Sequence, residues 1–280
     1  MYHRKVCIEG KMQKSNFHTH SVFSDGHNTP REMIEEALSC GFNALGFSDH
    51  SYTEAQADSC VTPGTEKIRA EELSSLKKEY ADRIKIYDGI ELDWHSSLPD
   101  ADYDYVIGSV HEMYAGNILV EIDNGKDNQQ KSIDEIYGGD SVRFAADYFE
   151  NLTNHIRTNK PDFVGHFDLP TKYSLIDEND PRYIEAAITA ARECVKICPT
   201  FEVNTGAIAR KLRTLPYPAG FIIDEIKKGG GRFIITSDCH YRERMTVGFD
   251  VAEKLLTVHG LRKNPDGELN NIVRGIDIWE

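Results

Sequence analysis

No stretch of the sequence reaches the ~18 consecutive apolar residues that cross a bilayer. Met1 to Lys14 also lacks the continuous apolar core of a signal peptide, so a cytoplasmic chain is expected. Cysteine is sparse. Cys7, Cys40, Cys60, Cys194, Cys198 and Cys239 are scattered with no CxxC pair, which argues against a disulfide framework and against a thiolate zinc site. Cys194 and Cys198 can share a helix face, but two sulfurs do not close a tetrahedral site. Positive charge is in deficit: 32 Lys and Arg stand against 46 Asp and Glu, a formal charge of -14. That balance argues against a non-specific binder of nucleic acid or of an anionic membrane. An acidic chain that handles an anion has to supply cations locally. Low-complexity tracts, fixed-period repeats and Ser/Gly linkers are missing too. The 280 residues, 40% hydrophobic and 28% charged, therefore read as one globular domain over 1–280, long enough for a barrel of ~250 residues.

What the chain does contain is an alternation of short β-branched or aromatic runs with amphipathic stretches, the pattern of repeated βα units. Seven strands are expected, at Ser15 to Thr19, Ala44 to Asp49, Ile84 to Glu91, Tyr105 to Val110, Asp162 to His166, Phe201 to Asn204 and Arg232 to Ser237. Pro30 to Cys40 is predicted as a helix, with Thr29 as its cap, Pro30 in its first turn, apolar residues at helical spacing and Gly41 as its stop. Further helices are predicted at Glu66 to Tyr80, Ser141 to Thr158, Pro181 to Lys196, Ala219 to Lys228 and Thr246 to Val258. Residues 112–140 are polar and irregular and long for a βα connection, so they read as a loop insertion that shapes the active site.

The chemistry sits where these strands end. His18 and His20 are two apart on a strand and leave from the same face, so both imidazoles can reach one ion. Asp25 follows in FSDG, His50 closes strand two in GFSDHS, and Glu91 closes strand three in GIELDW. His111 closes strand four, His166 strand five, and Asp238 with His240 strand seven. The ends of barrel strands are where barrel enzymes place their catalytic groups. Nine N/O ligands without a thiolate suit Zn, Fe or Mn and exceed the needs of one ion, so two or three divalent metal ions are expected. The other histidines, His3, His27, His95, His155 and His259, are expected to face solvent.

These residues resemble the PHP (polymerase and histidinol phosphatase) family, whose hallmark is an HxH, then SDH, a strand-end Glu, two further His and a terminal DxH. The resemblance runs from about Asn16 to about Gly260, in the family order. Within the family the chain is most similar to the monofunctional bacterial histidinol-phosphatases. The supporting stretches are Ile122, Asp123 and Tyr137 to Asp140 before a helix with Tyr148 and Phe149, and the segment from Asn204 to Pro218. Relatives tend to start just before HxH, which marks residues 1–15 as an N-terminal extension and Met12 as an alternative start.

The resemblance implies an α/β fold, a distorted TIM-like (β/α)7 barrel. It assigns His18, His20, Glu91 and Asp238 to one metal, Glu91, His111 and His166 to a second, and Asp25, His50 and His240 to a third, with Glu91 as the bridge. It implies hydrolysis of a small-molecule phosphate monoester, L-histidinol phosphate, to L-histidinol and phosphate in histidine biosynthesis. The expected nucleophile is a metal-bridging hydroxide. Glu91, Asp238 and Arg210 are the expected catalytic residues, Arg210 as a fork for phosphate oxygens. Glu112, Asp123 and Asp168 are candidates to receive the substrate's ammonium and imidazole, which the sequence alone does not rank. The alternatives are a PHP phosphoesterase acting on nucleotides or oligonucleotides, and an amidohydrolase-type C–N hydrolase.

Overall fold

The first helix shows how local signals set the frame. In the computed structural model, which describes residues 13–54, 56–96 and 101–280, strand β1 (Ser15–Asn16) leads to helix α1 (Pro30–Ser39). Thr29 caps α1 and accepts from the Glu32 backbone N–H, while the Glu32 carboxylate accepts from the Thr29 N–H at 2.9 Å. This reciprocal pair satisfies two of the helix's unpaired donors. Gly41 ends the turn at φ +79, a conformation open to glycine without a Cβ penalty.

Strand β2 (Ala44–Phe47), helix α2 (Glu66–Glu79), β3 (Lys85–Asp93) and β4 (Tyr105–Ser109) follow. Next come a hairpin, β5 (Glu112–Ala115) with β6 (Ile118–Glu121), and helices α3 (Lys126–Tyr137) and α4 (Ser141–Asn159). Strand β7 (Phe163–Val164), α5 (Pro181–Val195), β8 (Thr200–Asn204), α6 (Gly206–Ala209), α7 (Gly220–Lys228) and β9 (Arg232–Thr236) continue the alternation. Helix α8 (Phe249–Val258) and a hairpin of β10 (Lys263–Glu268) and β11 (Arg274–Trp279) complete the chain.

Strands β1, β2, β3, β4, β7, β8 and β9 are neighbours in that order and pair in parallel, the seven expected strands. A parallel bridge from Thr19 to Cys239 brings the first strand back to the last. The result is a distorted (β/α)7 barrel. Its other end is closed by the C-terminal hairpin, which sequence reading did not anticipate. Trp279 pairs with Phe233 of β9, and Asp277 accepts from the Lys14 N–H beside β1 at 2.8 Å. Leu269, Val273, Ile276 and Ile278 thereby join Phe17, Tyr105, Ile107, Phe163 and Ile234 in a core inside the barrel. Gly46 and Gly89 leave room for the Tyr105 ring, which a Cβ at either would overlap; its hydroxyl donates to Phe17 O at 2.8 Å. A larger core, with Leu45, Phe149 and Phe201, lies between the sheet and the helices.

Several expectations are corrected. Residues 112–140 are not irregular: they fold as β5, β6 and α3. Strand β1 is shorter than predicted, because its ladder with β2 ends after two pairs and Thr19 turns to Cys239. Strand β3 runs past Glu91, since Glu91, Leu92 and Asp93 pair with Ile107, Gly108 and Ser109. Helix α8 starts after Gly248, at φ +84, rather than at Thr246. The extension over 1–15 and the start at Met12 fall outside the described residues as far as residue 12; Ser15 already belongs to β1. Among the described residues no helix is long and apolar enough to cross a membrane.

Candidate metal centre

Six of the seven parallel strands, all but β8, deliver a candidate ligand within or just past the C-terminal end, so the side chains converge over one mouth of the barrel. Glu91 is at the centre. Its Oε1 lies 3.0 Å from His166 Nε2 and 3.5 Å from His111 Nε2, and its Oε2 lies 3.2, 3.5 and 3.1 Å from His18 Nε2, His20 Nε2 and His50 Nδ1. One buried carboxylate therefore meets five imidazoles. Asp238 reaches His20 Nε2 at 3.3 Å and His18 Nε2 at 3.8 Å from a left-handed backbone, φ +48, which Asp tolerates better than most residues. Asp25 meets His240 Nε2 at 2.9 Å, His20 at 3.5 Å and His50 at 3.7 Å.

The nine predicted ligands all fall into overlapping groups of metal-ligating geometry. These are His18, His20 and Asp238; His18, Glu91 and His166; His50, Glu91 and His111; and His20, Asp25, His50 and His240. His18, His20, His50 and Glu91 each fall in two of these groups, Glu91 being the residue that the resemblance also places in two sets.

The donor set fits cations. His18 Nε2, both ring nitrogens of His20, Asp25 Oδ1 and Glu91 Oε2 are buried without a hydrogen-bond partner, and such orphans are costly. His111 Nε2 and His166 Nε2 face each other at 3.1 Å. Burial, with His240 and His50 alongside, lowers the His20 pKa to about 4, which keeps the ring neutral and able to ligate. Burial pushes Glu91 upward, but His18, His111 and His50 outweigh it and hold the carboxylate well below its usual range. Asp238 is likewise held low against burial, by Arg210 and His18.

The partners behind these ligands were missed by sequence reading. Glu202 on β8 accepts from His18 Nδ1 at 2.8 Å, and Asp93 accepts from His111 Nδ1 at 2.9 Å. Burial opposes a charged His111, yet Glu91 and Asp93 raise its pKa to about 9. Asp49 accepts from Ser21 N–H at 2.7 Å, Ser24 Oγ at 2.8 Å and Arg69 Nε at 2.8 Å, which ties down the loop that carries Asp25. Arg69, fully buried, also holds Asp88 at 2.7 Å.

Above the ligands opens a cavity of about 740 Å³. Arg210, at the end of α6, lines it and donates to Asp238 Oδ2 at 3.3 Å and to His240 Nδ1 at 3.0 Å. Asp123 lines it as well, paired at 2.7 Å with Lys172, a wall cation the sequence reading did not single out. Glu112 and Asp168 are not on this wall. Glu112 is buried at the start of β5 within 3.5 Å of Thr53 Oγ1. Asp168 is buried against the Ala219 N–H at 3.0 Å, and burial raises its pKa to about 6. His155 does not face solvent as expected: it is buried, with Nε2 donating to Leu92 O at 2.9 Å and Nδ1 accepting from Asn159 at 2.7 Å. His27 stacks on Tyr241 at the cavity, and His259 pairs with Asp224. His95 packs edge-on against Tyr114, and His3 falls outside the described residues.

Residues 16–206 match the family described as PHP domain. The chain belongs to the PHP domain family. Among curated proteins it is 28% identical over 240 residues to the "Probable histidinol-phosphatase" of Deinococcus radiodurans, covering 81% of this chain and 86% of that one. Among solved structures it resembles a "putative histidinol phosphatase" of Listeria monocytogenes with a TM-score of 0.74 and 20% identity, covering 85% of this chain and 99% of that one. It also resembles the histidinol phosphate phosphatase of Lactococcus lactis subsp. lactis, complexed with Zn, L-histidinol and phosphate, with a TM-score of 0.64 and 22% identity over 89% of this chain and 95% of that one. The PHP fold is thus a distorted TIM-like (β/α)7 barrel in this chain as well.

Proposed function

We propose that this protein is a metal-dependent histidinol-phosphatase, hydrolysing L-histidinol phosphate to L-histidinol and phosphate in histidine biosynthesis. The observation that carries the reading is Glu91: one buried carboxylate among five imidazoles, two of which, His50 and His111, line a cavity together with Arg210 and Asp123. Two or three divalent ions, Zn, Fe or Mn, would be held by His18, His20, Glu91, Asp238, His111 and His166, with Asp25, His50 and His240 supplying the third position. Bound there, such ions supply Lewis acidity toward phosphoryl oxygens and lower the pKa of a water.

The remaining work belongs to the chain's own groups. Glu91 spans the centre with both oxygens and orders the surrounding imidazoles. Asp238 shares its carboxylate between His20 and Arg210, which keeps the guanidinium aimed at the cavity. Arg210 offers a planar fork to the phosphate oxygens. Asp123 is the wall carboxylate placed to receive a cationic end of the substrate, and Lys172 fixes its position. Residues 112–140 form the wall that carries it, within a single domain over 1–280. The same reading gives a small-molecule phosphate monoester as the partner, with no nucleic acid and no membrane, and a cytoplasmic location.

The test is phosphate release from the purified protein with L-histidinol phosphate, mononucleotides and short oligonucleotides. L-Histidinol phosphate is expected to give the highest kcat/KM. A higher value on nucleotides overturns the substrate assignment and moves the enzyme to nucleotide-directed phosphoesterase action.

A further inference from the structure

Two buried carboxylates outside the nine ligands each hold the far nitrogen of an imidazole, but their lone pairs are used differently. Glu202 Oε2 accepts from His18 Nδ1 at 2.8 Å and from Thr236 Oγ1 at 2.7 Å. Its Oε1 accepts from the His166 backbone N–H and from Asn204 Nδ2 at 2.9 Å. All four partners donate. The Asn204 amide cannot turn over, because its Oδ1 accepts from the Gly206 N–H at 2.8 Å, and a backbone N–H cannot reverse. Oε1 thus faces two fixed donors. Oε2 faces two adaptable ones, since a hydroxyl rotates and an imidazole exchanges tautomers. At Asp93 one oxygen does almost everything: Oδ2 accepts from both the backbone N–H of His111 at 2.8 Å and its Nδ1 at 2.9 Å. Oδ1 takes a single 3.3 Å bond from the His95 N–H.

The geometry points to Glu202 as a positioning residue that fixes His18 as the Nδ1–H tautomer, leaving Nε2 for a divalent cation, and to its four donors as the reason a carboxylate is needed there. Asp93 does the same for His111, through one oxygen that an amide can replace. The inference rests on the metal-dependent reading above and names residues it did not contain. It makes two substitutions of the same chemistry behave differently. In Glu202→Gln the amide oxygen has to occupy the Oε1 position, opposite the fixed donors. The NH2 group then points at His18 Nδ1, which must become an acceptor, and the ring's proton moves to Nε2, where it blocks ligation. In Asp93→Asn the oxygen stays on His111, and only the long His95 bond is lost.

The experiment uses the full chain, labelled with 15N-histidine and titrated with zinc against a competing chelator, with far-UV circular dichroism to verify folding. Zinc-loaded wild type is expected to show His18 and His111 protonated at Nδ1. The E202Q protein is expected to bind the ion held through His18 on the order of 100-fold more weakly, while D93N loses about 10-fold or less, within the range for partners that orient metal-ligating histidines. Equal losses in the two variants overturn the inference. So does a zinc-loaded wild type whose His18 carries its proton on Nε2, a result that depends on neither variant folding. Wild type that takes up no zinc instead sinks the metal reading, and this inference with it.

Discussion

At the scale of single residues, the chemistry of this protein turns on whether Glu91 acts as the common carboxylate. Glu91→Gln keeps the shape and removes the charge that five imidazoles surround. A rate loss of roughly 10³-fold is expected in steady-state phosphate release. Near-normal turnover with unchanged metal content would show that the charge is dispensable. The convergence of the nine candidate ligands was legible because most of them sit at or near the end of an apolar run, and a His, Asp or Glu there is conspicuous. Glu202 and Asp93 were not legible, for a physical reason. They act through other side chains, so no spacing rule marks them, and each lies inside a strand whose register only pairing reveals. Glu112 and Asp168 failed to reach the cavity on the same ground: adjacency to His111 and His166 in sequence says nothing about which way a side chain leaves the backbone.

At the scale of elements, the seven barrel strands and six of the helices followed from local pattern, with boundaries off by a few residues. The C-terminal hairpin did not, since KNPDGE reads as a turn and Pro265 is tolerated only because β10 is the edge of the sheet. Yet Ile276 and Ile278 of β11 are about 1% exposed inside the barrel. Ile278→Ala is expected to lower unfolding free energy by about 2–5 kcal/mol in urea titrations while phosphate release at saturating substrate stays within twofold, because the hairpin closes the end away from the ligands. An unchanged urea midpoint would mean that the hairpin is not part of the cooperative core. Helix α4 supplies a pH-dependent term. Burial lowers the His155 pKa to about 4, so the folded protein keeps it neutral while the unfolded chain protonates it near 6.5. Its stabilisation is complete above pH 6.5 and is lost as pH falls from there toward 4. Comparing wild type with His155→Gln, both chelated, the stability gap is expected to narrow by about 1 kcal/mol between pH 7.5 and 5.5. A gap that does not change with pH would contradict a neutral buried imidazole.

At the scale of the whole molecule, the charge of -14 and a phosphate monoester dianion look incompatible until the centre is considered as a local reservoir of positive charge. Arg210, Lys172 and Arg244 line the cavity, but two of these three cations are already paired with carboxylates, Arg210 with Asp238 and Lys172 with Asp123. Divalent ions resolve this. Held there, they would also satisfy the buried atoms of His18, His20, Asp25 and Glu91 that have no hydrogen-bond partner, which would make the ions part of the folded state's stability as well as its activity. Chelation is therefore expected to do two things together: abolish phosphate release and lower the melting temperature. Ions that bind only the folded chain add about 2.7 kcal/mol when present at 100 times their Kd, and that increment disappears on removal. Metal analysis should find at least two ions per chain before chelation, and adding back Zn or Mn should restore turnover and melting temperature in parallel. Full activity in a preparation shown to be metal-free would overturn the mechanism; a melting temperature that ignores chelation would show that the ligand cluster is preformed by Glu202, Asp93 and Asp49 and draws no stability from the ions.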